Sequence, residues 1–187
     1  MPDVKVTPSD LEGLYVVDLV VHEDSRGSFR EAYQREKMEA LGLPPLGPVQ
    51  WNVSENGRRG TLRGIHAEPW EKYIHVIAGE VFAAIVDLRQ ASKTFRQVRT
   101  FTLDRTRALF VGRGLGNSYQ VLSDGTIYGY LISAHWNPAL RYIGIAWNDP
   151  ELGIRWPLPI GPADLSAKDS ALPSLRQALA DAGPQAP

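Results

Sequence analysis

Tyr73-Ile74-His75-Val76-Ile77-Ala78-Gly79-Glu80-Val81-Phe82-Ala83-Ala84-Ile85-Val86-Asp87-Leu88 is the stretch that decides the fold class. Its halves, Tyr73 to Ile77 and Val81 to Leu88, are rich in β-branched and apolar residues, which suit a pleated, half-buried surface. Ala78-Gly79-Glu80 between them predicts a short hairpin loop. Working outward, similar runs occupy Leu14 to Val21 upstream and Gln97 to Leu103, Ala108 to Val111, Ser118 to Leu122, Thr126 to Ile132 and Tyr142 to Trp147 downstream. Turn residues such as Asp124-Gly125 and Asn137-Pro138 separate them. Many short strands spaced by turns predict a mainly β fold: a sandwich, jelly roll or small barrel. Two segments read as helices. Glu31 to Leu41 ends at Gly42 ahead of Pro44-Pro45, and Ser170 to Ala182 carries Pro173 in its first turn. Gly183 to Pro187 reads as a frayed end.

The 187 residues suit one domain. We expect it to span 1–187, with a core over about 13–160 and a C-terminal segment, 161–187, packing on it. Twenty basic residues against twenty-one acidic ones leave no surplus that would suggest nucleic-acid binding. Cysteine is absent, so disulfides, thiolate metal sites and a Cys nucleophile are excluded. Met1-Pro2-Asp3-Val4-Lys5 lacks the plan of a signal peptide, and no apolar run approaches membrane-spanning length. The expectation is a cytoplasmic protein with no membrane partner.

Four histidines occur: His22, His66, His75 and His135. His66 is distinguished by its surroundings, Gly60-Thr61-Leu62-Arg63-Gly64-Ile65-His66, where glycines permit close backbone approach and Arg63 offers a cationic fork for a phosphate. Spacing alone favours reading Arg63 and Lys72 as ordinary surface charges at strand ends. His66 and His75 stand nine apart and no His-x-His pair exists, so no metal site is expected. Gly112-Arg113-Gly114-Leu115-Gly116 lacks the strand–loop–helix context of a dinucleotide fingerprint, and no Gly-x-Ser-x-Gly elbow is present.

The ordered motifs resemble one known family. Asp24-Ser25-Arg26-Gly27-Ser28-Phe29-Arg30-Glu31 is followed by Gln50-Trp51-Asn52-Val53-Ser54, Leu62-Arg63-Gly64-Ile65-His66, Lys72, Gly79-Glu80-Val81-Phe82, Val86-Asp87-Leu88-Arg89 and Ser92-Lys93-Thr94-Phe95. Trp147-Asn148-Asp149-Pro150, Ile154-Arg155-Trp156-Pro157 and Leu165-Ser166-Ala167-Lys168-Asp169 close the series. Any one is weak; the series in order is similar to the dTDP-4-dehydrorhamnose 3,5-epimerases. The resemblance implies a cupin-type jelly roll that dimerises, needs no cofactor or metal, and acts on a nucleotide-linked, dTDP-type 4-keto-6-deoxy sugar.

By the same resemblance His66 is the general base, Asp169 the carboxylate that orients it, Tyr130 the acid, and Lys72 the cation at the keto oxygen. Arg26 and Arg63 match the arginines that hold the diphosphate. Phe29, Glu31, Gln50 and Asn52 match positions lining the nucleotide and sugar site. This set suits enolisation, because a C4 ketone acidifies the protons on C3 and C5; a base removes one and an opposed acid returns one. The chain departs from the family at Asn117, where members often carry a histidine, so that side chain can hydrogen-bond but cannot relay a proton. Trp136 follows the proposed acid where tyrosines are common. It reads equally as a surface that stacks on a base and as a core or dimer-interface aromatic. Competing readings are a dTDP-sugar 3,4-ketoisomerase and a non-catalytic sugar-nucleotide-binding cupin.

Overall fold

A computed structural model describes residues 3–137, 139–140 and 142–182. The strands are β1 (Lys5–Pro8), β2 (Leu14–Asp18), β3 (His22–Asp24), β4 (Gly27–Phe29), β5 (Gln50–Asn56), β6 (Leu62–Ala67), β7 (Lys72–Ala78), β8 (Val81–Asp87), β9 (Val98–Leu103), β10 (Arg107–Val111), β11 (Leu115–Val121), β12 (Thr126–Ile132) and β13 (Ile143–Gly144). Short helices follow the same order: α1 (Arg35–Ala40), α2 (Ala167–Ser170) and α3 (Leu175–Ala182). Two antiparallel sheets face each other, ordered β1-β2-β10-β7-β12-β5 and β13-β6-β11-β8-β9, and β3 and β4 make a separate hairpin. From β6 to β12 the chain passes repeatedly between the sheets, which makes a cupin-type jelly roll.

The stretch from Tyr73 to Leu88 forms two strands as its composition predicts, but they do not make a hairpin. β7 lies in one sheet and β8 in the other, so Ala78-Gly79-Glu80 is a corner that carries the chain across the sandwich. The reason is the shared core: Ile74 and Val76 of β7 and Val81, Ala83 and Ile85 of β8 all point into one cluster between the sheets. Pairing the strands edge to edge would leave one of those faces without a partner. Burying each large side chain contributes on the order of 2 kcal/mol. Gly79 makes the corner possible, since it has φ +83° and a Cβ there would sit 2.3 Å from the Thr126 hydroxyl.

Two further apolar clusters cover the outer faces. α3 brings Leu175 and Ala178 onto Ile65, Ala67, Val86 and Leu88 of the five-stranded sheet. Met38 of α1, with Leu43 and Leu46, packs on Val17, Tyr73, Ala108 and Phe110 of the six-stranded sheet. The helix expected from Glu31 begins only at Arg35, because Gln34 is extended and caps it by accepting the Lys37 amide. Ser170 to Ala182 is likewise not continuous: α2 ends at Ser170 and α3 starts at Leu175. Pro173 lies in the break, where its carbonyl accepts the Ala146 amide at 2.8 Å. β1 adds an edge ahead of the core start expected near residue 13. The end expected to fray, Gly183 to Pro187, lies outside the described residues, as does Pro138 of the expected Asn137-Pro138 turn.

Two of the ordered motifs prove to be scaffold. Asp87 is fully buried and accepts from Arg89, Ser92 and Thr94. Burial works against its charge, yet Arg89 and the two hydroxyls hold the carboxyl down to about 2. Asp149 accepts the Leu175 amide at 2.7 Å and so caps the start of α3.

Candidate active site

β5 and β6 were not among the strands expected from apolar runs, and they carry much of the site. In β5 the alternation is inverted: Trp51, Val53 and Glu55 are exposed, while Gln50, Asn52 and Ser54 are the partly buried set. β6 presents His66 on the inner side of the five-stranded sheet, directly opposite Asn117 of β11. Gly64 carries φ +86°, and a Cβ there would lie 2.9 Å from the Asn117 carbonyl, so the close approach of β6 to β11 beside His66 requires glycine.

Ser166 caps α2 by accepting the Asp169 amide at 3.0 Å, which turns the Asp169 side chain back onto β6. Its Oδ1 lies 2.9 Å from Nε2 of His66, and Oδ2 accepts the Gly64 amide at 3.3 Å. Burial raises the cost of the Asp169 charge, but the His66 ring and the Gly64 amide more than offset it and hold the carboxyl below its usual range. Nδ1 of His66 is buried without a hydrogen-bond partner.

Tyr130 comes from the facing sheet, paired with Asn52 of β5 and Ile74 of β7. Burial, reinforced by the nearby Glu68 carboxylate, pushes its phenol up to about 12, so it keeps its proton at neutral pH. Lys72 opens β7 on the same sheet, is buried, and places Nζ 6.0 Å from the Tyr130 ring centroid. It donates to Glu68 and Asn117. Arg63, whose Nε donates to Asn56 at 3.0 Å, joins these residues around a cavity of about 290 Å³ that Ser54, Tyr119, Tyr128 and Lys168 also line. The cavity holds the cations Arg63, Lys72 and Lys168 against the carboxylates Glu68 and Asp169, a balance that favours an anionic ligand.

A second hollow of about 400 Å³ shares His66, Glu68, Tyr130 and Lys168 with the first and extends to Gln50, Asn52 and Trp136. The Trp136 amide donates to Gln50 Oε1 at 2.9 Å, and Gln50 donates onward to Asn52 at 2.8 Å. The Trp136 side chain is 56% exposed, which removes the core-aromatic alternative.

The family model described as dTDP-4-dehydrorhamnose 3,5-epimerase matches residues 8–177. The chain belongs to the dTDP-4-dehydrorhamnose 3,5-epimerase family, and so to the isomerases. It is 40% identical over 173 residues to the RmlC homolog of Streptococcus pyogenes serotype M6, covering 89% of this chain and 86% of that one. The structure of RmlC from Streptococcus suis in complex with dTDP-D-xylose is similar at TM-score 0.87 and 37% identity, over 95% and 94% of the two chains. NovW, a 4-keto-6-deoxy sugar epimerase of Streptomyces spheroides, is similar at TM-score 0.88 and 32% identity, over 99% and 94%.

Of the positions matched to this epimerase family, His66, Asp169, Tyr130, Lys72, Arg63 and Asn117 meet around the first cavity, and Gln50, Asn52 and Trp136 line the second. Arg26, Phe29 and Glu31 line neither. Arg26 lies in the tight turn between β3 and β4, pairs with Asp24 at 2.6 Å and has a side chain 86% exposed; Phe29 is also exposed. Glu31 instead pairs with Lys37 at 2.5 Å. Glu68 and Lys168 were not singled out from sequence. The available signals were position: Glu68 falls two residues beyond His66, on the same side of the strand direction, and Lys168 directly precedes Asp169. Among the described residues no group of three or more His, Asp or Glu side chains is arranged to hold a metal ion.

Proposed function

We propose that the protein epimerises a dTDP-linked 4-keto-6-deoxy-hexose at C3, C5 or both, through an enolate. The carrying observation is the 2.9 Å pair of His66, on the five-stranded sheet, with Asp169 of α2, opposite Tyr130 and Lys72 presented from the facing sheet. Arg63 and Lys168 hold the diphosphate. His66 takes a proton from a carbon next to the ketone. The Asp169 carboxylate holds the ring in place and stabilises the imidazolium that forms. As the C–H bond breaks, negative charge moves to the C4 oxygen, where the Lys72 ammonium contributes on the order of 3 kcal/mol of stabilisation. Tyr130 then returns a proton to the other face of the same carbon. One C–H bond is broken and one made, so the sugar's oxidation state is unchanged.

The exposed Trp136 indole stacks on the nucleobase in this reading, beside Gln50 and Asn52. The exposed Arg26 and Phe29, together with apolar Trp51 and Val53 on the edge strand β5, support a homodimer in which the β3–β4 hairpin serves the neighbouring copy's site. We place this single-domain enzyme in the cytoplasm; among the described residues no helix is long and apolar enough to cross a membrane.

The test is proton NMR of dTDP-4-keto-6-deoxy-glucose incubated with the protein in D2O. Deuterium at C3, at C5 or at both, with an epimeric product, is the expected result. A 3-keto product would establish ketoisomerisation instead. Bound substrate with no exchange at either carbon would leave only a binding protein.

A further inference from the structure

Lys72 is buried at 5% exposure, and a buried ammonium is tolerable only when its charge and its N–H groups are matched. An ammonium has three N–H donors. Two of them are committed, one to Glu68 Oε2 and one to Asn117 Oδ1. Both acceptors belong to the sheet opposite Lys72: Asn117 lies on β11 and Glu68 follows β6 immediately, whereas Lys72 opens β7. The cradle therefore clamps the ammonium across the sandwich. It also stands on the ladder that carries the base, since Asn117 is the cross-strand neighbour of His66 and Glu68 lies two residues beyond it. Glu68 lines both hollows together with His66 and Tyr130, so the clamp sits where they join.

We propose that Glu68 is a positioning residue for epimerisation: with the Asn117 amide oxygen it holds the Lys72 ammonium so that the third N–H is aimed at the substrate's C4 oxygen. A lysine stem has four rotatable torsions, and ordering them during the reaction would cost barrier height. Fixing them beforehand is what makes a donor effective against charge that develops only in the transition state. The inference rests on Lys72 serving the C4 oxygen, as proposed above.

Wild-type protein is assayed first for exchange in D2O; no exchange overturns that underlying reading and this inference with it. Given exchange, kcat and KM are measured for Glu68→Ala, Glu68→Gln, Lys72→Ala and the Glu68→Ala/Lys72→Ala double variant, with dTDP binding by calorimetry as the check of folding. Glu68→Ala should lower kcat about 10- to 100-fold, the scale of a misplaced group in a preorganised site, with KM within about threefold. Glu68→Gln keeps an acceptor and should recover most of the loss. In the Lys72→Ala background, Glu68→Ala should change the rate less than about twofold, because coupled residues are not additive. If Glu68→Ala fails to bind dTDP, the same cycle is run with Glu68→Asp, which withdraws the acceptor by one methylene. Undiminished kcat in the Glu68 variant, or an equal loss in both backgrounds, overturns the proposal.

Discussion

His66 and His75 stand nine residues apart on consecutive strands, and the structure gives them opposite environments. His66 lies on the inner side of the five-stranded sheet, against Asp169 and open to a cavity. His75 lies on β7, where Ile74 and Val76 fill the core between the sheets, so its own side chain is turned outward. It sits there against Gly129, close to the Trp51 indole. Burial first, and the charge of Arg30 second, push His75 down to about 4, so it is neutral at any ordinary pH. An imidazole becomes a base when a carboxylate balances the charge it must acquire and a substrate can reach it. His75 has neither, although it is the histidine inside an apolar strand that the sequence shows plainly.

The sharpest way to break this contrast is to remove each ring. His66→Ala should lower the rate of solvent deuterium incorporation by about 10⁴-fold, the upper range for a general base, with dTDP binding retained by calorimetry; activity near wild type would end the distinction. Asp169→Asn keeps the shape of the pair and removes the charge, and should cost about 10³-fold in kcat. Tyr130→Phe should cost about 10²-fold in epimer formation. Because only the return of the proton is affected, deuterium loss from a substrate labelled at the reacting carbon should fall less than product formation does, and the two rates can be read from one NMR time course.

His75→Gln should leave kcat within about twofold of wild type and change the pH dependence of stability instead. The folded state favours neutral His75, so between pH 6.5 and about 4 the unfolded chain binds more protons than the folded one. Stability from this group is therefore complete above pH 6.5 and is lost as the pH falls towards 4. At pH 5 the loss amounts to about 2 kcal/mol, and it should be absent from the variant. Urea midpoints at pH 7.5 and pH 5 measure it; equal shifts in both proteins would show that His75 titrates normally.

Legibility follows the same line as the two histidines. β7, β8, β10 and β12 could be read closely because their apolar residues face a core. β5 could not, since its polar residues face the cavity and its apolar ones face outward. The corner at Gly79 looked like a hairpin because a three-residue loop between two apolar strands has the same composition whether the strands pair or separate. Within the site, the resemblance pointed to His66, Tyr130, Lys72 and Asp169, yet the equally recognisable Asp87 and Asp149 are scaffold. Motif membership alone does not distinguish them; what each carboxylate accepts from does.

The sequence by itself determined the β-rich class, the absence of cysteine chemistry and the family, because composition, strand-forming runs and the order of motifs are properties of the chain alone. Only the tertiary structure decided that β6 and α2 bring His66 and Asp169 to 2.9 Å, that Glu68 and Asn117 hold Lys72, and that Arg26 and Phe29 do not line their own chain's cavity. Those facts depend on which strands face each other across the sandwich. His66 and Asp169 lie 103 positions apart, and contacts of that separation are set by sheet pairing and shared core packing rather than by local pattern.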